Sequence, residues 1–118
     1  MGNWFASVDS TRRELPGGEW LQIKTELTYH DEQHLYSGVV NKMETAEFGK
    51  DRPAVGIDMG EFNIRRMLTW IVGWSAKDAK GNAVEFSESA VRALSSSMAK
   101  AINDALDTYL EELEATKS

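Results

Sequence analysis

The hydrophobic positions of the chain change period several times, and each change marks an element. Across residues 58–74, Ile64, Met67, Leu68, Ile71 and Val72 recur at the i, i+3, i+4, i+7, i+8 spacing of one helical face. Trp70 and Trp74 lie four apart and share a second face. Asp58 followed by Glu61 offers an N-cap with a capping-box partner. In its last two turns this stretch is apolar nearly all round, which marks a central, surrounded helix. The core is therefore expected to centre on Leu68, Ile71, Val72 and Trp74.

Upstream the period shortens to two. Over residues 19–27, Leu21, Ile23 and Thr25 alternate with Trp20, Gln22, Lys24 and Glu26, the pattern of a strand with one apolar face. A lone strand needs a pairing partner. The candidates are 54–57 and 83–86, both short and flanked by glycine. Thr28 ahead of Asp31 and Glu32 predicts a helix start, with acidic groups where the helix dipole favours them. That helix is expected over 29–42, with Leu35, Val39 and Met43 inward and Gly38 weakening it by about 1 kcal/mol relative to Ala. Residues 44–56 turn polar and contain Gly49, Pro53 and Gly56, so they read as a loop.

Downstream, Lys80-Gly81-Asn82 supplies turn chemistry. Ser87 is placed to cap a short helix carrying Val91 and Leu94. Ser95-Ser96-Ser97 interrupts the pattern and caps a final helix. There Met98, Ile102, Ala105, Leu106, Tyr109, Leu110 and Leu113 form an apolar stripe, opposed by Asp104, Asp107, Glu111 and Glu112. Acidic residues at the C-terminal end oppose the dipole, so that end should fray unless a basic group sits against it. Residues 1–18 lack a clear period and end in Leu15-Pro16-Gly17-Gly18, a loop signal. They read as an N-terminal arm ahead of a single domain at 19–118. Trp4 and Phe5 interrupt this polar arm, either tucked onto the domain or anchoring a partner. The expected fold class is mainly α (α+β): a small helical domain with one short β element near its N-terminal half.

Composition narrows the function more than the fold. A chain of 118 residues, 42% hydrophobic and 27% charged, falls in the globular range of a single domain. It has no cysteine, which excludes disulfides and thiolate metal sites. The formal net charge of −6 argues against a nucleic-acid backbone as partner. The adjacent pairs Arg12-Arg13 and Arg65-Arg66 read as solvated surface, since no longer basic run accompanies them. No apolar stretch approaches the ~20 residues needed to span a bilayer. The N-terminus also lacks the basic and apolar regions of a secretory signal. A soluble cytosolic protein is expected, with no membrane partner.

Reacting groups are scarce. His30 and His34, at i and i+4, have the spacing of two metal ligands on a helix, but Asp31 stands where the zinc-protease pattern has Glu. They are the only histidines, and catalytic zinc needs three protein ligands. The pair reads as a solvated helix face. The stretch 56–60 lacks the lysine and hydroxyl of a phosphate loop. The serines at 95–97 have no histidine near them in the sequence. An enzyme is not expected, and neither a metal nor a cofactor is assigned.

Three stretches nonetheless resemble the small tail assembly chaperones of long-tailed bacteriophages. They are Trp20-Leu21-Gln22-Ile23-Lys24 leading into Glu26-Leu27-Thr28; Trp70-Ile71-Val72-Gly73-Trp74-Ser75; and Gly81 through Phe86-Ser87 into Val91, Leu94 and the helix with Ala101-Ile102. The resemblance covers about residues 19–113. It implies a non-catalytic protein of the host cell cytoplasm that coats the tape measure protein and helps tail tube subunits assemble around it. Partner contacts are then expected on Trp4, Phe5, Asp107, Tyr109, Glu111 and Glu112, although the stripe position of Tyr109 favours the core. A homo-oligomer is left open. The competing readings are a structural phage protein, such as a minor tail or head–tail connector component, and a regulatory interaction domain.

Overall fold

The computed structural model describes residues 4–35 and 59–117. In chain order these form strand β1 (Ser10–Glu14), a 3-10 turn (Pro16–Gly18), strand β2 (Trp20–Lys24) and helix α1 (residues 29–35). Helix α2 (Met59–Trp70), strand β3 (Ile71–Trp74), helix α3 (Glu88–Arg92) and helix α4 (Ser96–Lys117) follow. The three strands make one antiparallel sheet in the order β1-β2-β3, so the protein is a small α+β domain.

The expected β element is larger than a single strand. Residues 10–14, read as part of a weakly periodic arm, pair along their whole length with β2, Ser10 opposite Lys24 and Glu14 opposite Trp20. The Leu15–Gly18 loop signal is the hairpin connection between them. Leu15 N–H donates to Glu19 O (2.7 Å), while Gly17 and Gly18 take φ of +85° and +83°, values that a Cβ disfavours. Of the proposed pairing partners for β2, 54–57 lies outside the described residues. The 83–86 stretch contributes an isolated bridge, Ala83 to Lys77, instead.

The largest departure is at the end of the central helix. Helix α2 stops at Trp70, and Ile71-Val72-Gly73-Trp74 is strand β3. Two β-branched residues and a glycine are poor helix formers, and pairing with β2 supplies the hydrogen bonds that a continued helix would have made internally. The spacing that misled is explained by the register. Leu21 faces Trp74 and Gln22 faces Gly73, but Ile23 faces Ile71, so Val72 is an extra residue in β3. That bulge turns Ile71 and Trp74, three apart, to the same side of the sheet. A regular strand would put them on opposite faces. Ile71 is 3% exposed and Val72, which the helical reading placed in the core, is 49% exposed.

The core lies where this face of the sheet meets the helices. Its fully enclosed side chains are Leu21, Ile23, Met67, Ile102 and Leu106, so its centre is shared between β2 and α4 and does not sit on Leu68, Val72 and Trp74. Trp74 and Leu68 pack at the margin. Trp74 stacks edge-on against Phe86 at 4.9 Å and donates its indole N–H to Val84 O at 2.7 Å. The apolar stripe of α4 holds as expected, with Ile102, Leu106 and Tyr109 buried.

The helix starts follow the sequence closely. Thr28 and Asp31 form a reciprocal capping box, Thr28 Oγ1 accepting from Asp31 N–H and Asp31 Oδ2 from Thr28 N–H. Ser87 accepts from Ala90 N–H, and Ser95 from Met98 N–H, capping α3 and α4. The expected Asp58 cap, the continuation of α1 through Val39 and Met43, and the 44–56 loop lie outside the described residues.

Two outcomes test this packing. Ile71→Ala should destabilise the protein by about 2–5 kcal/mol in chemical denaturation, and Val72→Ala by no more than about 0.5 kcal/mol. Comparable losses at both positions would restore a helical reading of 71–74.

The second concerns Asp31. Burial pushes its carboxyl up, but the Thr28 N–H and the Lys24 ammonium together outweigh that and hold it below the ordinary 3.8. A lowered carboxylate stabilises the fold above its unfolded value, and that stabilisation is lost as pH falls through the folded value. Asp31→Asn should therefore be less stable than wild type near pH 6, by a margin that shrinks below about pH 4 and then vanishes. Urea titrations at a series of pH values measure this difference.

Candidate functional site

Because α4 buries its apolar stripe against the sheet and α2, its other face is left to water. Asp104, Asp107, Thr108, Glu111, Glu112, Glu114 and Ala115 are exposed along it. Of the residues expected to contact a partner, Asp107, Glu111 and Glu112 share this face. Tyr109 does not. It is 4% exposed, its hydroxyl donates to Lys24 O of β2 at 2.8 Å, and its ring meets Trp70 edge-on at 6.4 Å. Burial pushes the Tyr109 phenol up, with the Arg13 guanidinium beside it pulling the other way. Tyr109 is thus a core residue that fastens α4 to the sheet.

The acidic face is partly neutralised by arginines that read as plain surface in the sequence. Arg66 of α2 donates to Asp107 Oδ1 at 2.7 Å, and through its other terminal nitrogen to Asn103 O and Oδ1. Arg13 of β1 pairs with Glu112 and lies over the Tyr109 ring. These contacts put a basic group against the C-terminal half of α4, the condition for that end not to fray. Local sequence could not have shown them, because the partners are 41 and 99 residues apart. Glu111 makes no ion pair among the described residues.

Trp4 and Phe5 sit on the segment leading into β1. They are 92% and 80% exposed, and Val8, which sequence reasoning passed over, is 97% exposed. A tucked arm is the commoner outcome for such a segment, but here the structure places these side chains in solvent.

The histidines occupy a third region. His30 and His34 stack at 6.2 Å on α1, and Arg65 Nη1 lies 3.2 Å from His34 Nε2. A guanidinium only donates, so the lone pair of His34 Nε2 is already engaged and a cation stands beside that nitrogen. From Arg65 the charges continue through Glu61 to Arg92 and Glu88, pinning α1, α2 and α3 together. The hydrogen bonds that Arg92 donates to the Glu88 and Glu61 carboxylates push its guanidinium up. Among the described residues no group of three or more His, Asp or Glu is arranged to hold a metal ion. None of the described helices is long and apolar enough to cross a membrane.

Comparison with protein-family models, curated proteins and solved structures finds no match to this chain.

The His30–His34 geometry generates a direct test. Calorimetric titration with zinc should give at most weak binding. A tight one-to-one isotherm that disappears in His34→Ala would contradict the engaged-lone-pair argument.

Proposed function

We propose that this chain is a non-catalytic tail assembly chaperone of a long-tailed bacteriophage. In this reading it works in the host cell cytoplasm, where it holds a helical segment of the tape measure protein in solution while tail tube subunits assemble around it. The observation that carries the proposal is where the three resembling stretches lie. Trp20–Lys24 is β2, the second stretch contains β3, and the two pair directly. Phe86 packs on Trp74, and Phe86, Leu94, Val91 and Ile102 belong to the same core cluster. The three stretches thus build one packing unit, which is what this reading requires of them.

The surface that fits such a partner is the outer face of α4. A long exposed helix carrying Asp104, Asp107, Glu111, Glu112 and Glu114 presents negative charge along several turns, with Lys100 as a basic residue near its start. Its complement is a helix with a basic stripe. Electrostatic attraction of this kind acts mainly on the encounter rate and is screened by salt within about 8–10 Å. The chaperone is favoured over a structural role in the particle by this same feature: a charged, water-facing helix suits reversible holding more than permanent burial.

Co-expression with a basic, helical tape measure segment should raise the soluble fraction of that segment. Glu111→Lys should slow association several-fold at low ionic strength and leave thermal stability nearly unchanged. No gain in solubility, together with abundant chain in purified phage particles, would replace this reading with that of a structural tail protein.

A further inference from the structure

Where the hairpin end of the sheet meets the junction of α3 and α4, a cleft of about 330 Å³ opens, and all of its walls belong to described residues. That volume lies at the low end of the range for small-molecule sites. The inner surface is apolar, formed by Leu15, Trp74, Leu94 and Met98 with the fully enclosed Leu21 and Ile102 beneath. Its walls are held by hydrogen bonds within the fold. Trp74 donates its indole N–H to Val84 O, Val84 N–H donates in turn to Ala76 O at 3.0 Å, and Ser95 caps the start of α4. A cleft fixed in this way is formed before any ligand arrives.

Two opposite charges stand at its mouth. Ser75 N–H donates to Trp20 O, and the two chains running on past this bond bring Ala76 and Lys77 beside Glu19. Glu19 is half-buried, Lys77 is exposed, and both line the cleft. Neither makes an ion pair among the described residues. Glu19 is held from one side, where Ser75 Oγ donates to its Oε1 at 2.6 Å and accepts from Trp20 N–H at 2.9 Å. An ionised carboxylate accepts through both oxygens, so the bond to Ser75 orients this one and leaves it able to take a further donor.

We propose that the cleft binds a free amino acid with a large apolar side chain, its ammonium on Glu19 and its carboxylate on Lys77. The ligand class follows from what each alternative leaves unmatched. A hydrocarbon or acyl chain covers the apolar floor and leaves both charges. A residue within a peptide brings neither an ammonium nor a carboxylate from its own backbone, and a peptide terminus brings one of them. A free amino acid carries both on the carbon that bears its side chain, so one small molecule reaches the floor and both rim groups together. The Trp74 ring and the Met98 thioether suit an aromatic side chain, through edge and sulfur contacts. The cleft is separate from the surface of the proposed function. Met98 and Ile102 belong to the apolar stripe of α4 and the acidic face lies opposite, so the two readings stand or fall separately.

A heteronuclear NMR titration of the full chain with L-phenylalanine tests the site. Amide signals of residues 19–21, 74–77 and 93–98 should shift saturably, with a Kd below about 1 mM. Phenethylamine, which lacks the carboxylate, and 3-phenylpropionate, which lacks the ammonium, should each bind about tenfold more weakly. Glu19→Gln keeps an acceptor for Ser75 and should weaken phenylalanine about tenfold while sparing 3-phenylpropionate. Lys77→Met should weaken phenylalanine to a similar extent, about tenfold, while sparing phenethylamine. The ligand that each variant spares shows that its cleft is still formed. No saturable shift up to about 10 mM overturns the proposal, as do shifts centred elsewhere in the fold. Equal binding of the three ligands, or phenylalanine binding indifferent to either rim variant, overturns it as well.

Discussion

The pairing of β2 with β3 is the contact on which the rest of this protein depends. It joins segments 55 residues apart in the chain, with Trp20 and Ser75 exchanging hydrogen bonds beyond the end of β3. It also sets the inner face of the sheet, because the bulge at Val72 brings Ile71 and Trp74 to the side already occupied by Leu21 and Ile23. Without that irregularity one of the two large side chains would face water. Helices α2 and α4 then have a single apolar surface to cover, and the enclosed residues Met67, Ile102 and Leu106 converge on it. The helices are secured from outside by charges that bridge elements: Arg13 to α4, Arg66 to α4, and Arg65 and Arg92 through Glu61. Exposed pairs of this sort contribute little stability individually, so their value lies in orientation. The apolar contacts hold the layers together and the arginines set how α2 and α4 lie.

This division explains what could be read from the sequence and what could not. Caps and turns depend on neighbours within four residues, and they were legible: Thr28 with Asp31, Ser87, Ser95 and the Lys80-Gly81-Asn82 turn all appear in place. The stripe of α4 was legible for the same reason, since a long helix repeats one pattern many times. The switch from helix to strand at Ile71 was not. Ile71 and Trp74 at i and i+3 satisfy a helix and also satisfy a bulged strand, and periodicity alone cannot separate the two over four residues. Strand β1 was hidden differently. Ser10-Thr11-Arg12-Arg13-Glu14 has no apolar alternation because its inner positions carry Thr11 and the aliphatic stem of Arg13, whose head continues to Glu112.

On the functional side, the acidic face of α4 was visible as a composition of one helix face. Its countercharges were not, because Arg13 and Arg66 come from distant elements. Tyr109 illustrates the ambiguity of an amphipathic residue: the stripe placed it inward, its hydroxyl suggested an interface, and the Lys24 carbonyl resolves the two by accepting that hydroxyl inside the fold.

The tie between Tyr109 and β2 also has a temporal meaning. It spans 85 residues, and it closes a core whose other half comes from β2 near the start of the chain. Contacts of such separation form late, after the entropy of bringing distant segments together has been met, and they slow folding relative to helices made of neighbours. Until α4 arrives, the hairpin has Leu21 and Ile23 without their cover. A chain in synthesis therefore keeps that sheet face exposed until Ile102, Leu106 and Tyr109 of α4 have been made. Helix α4 is the cover that completes the core.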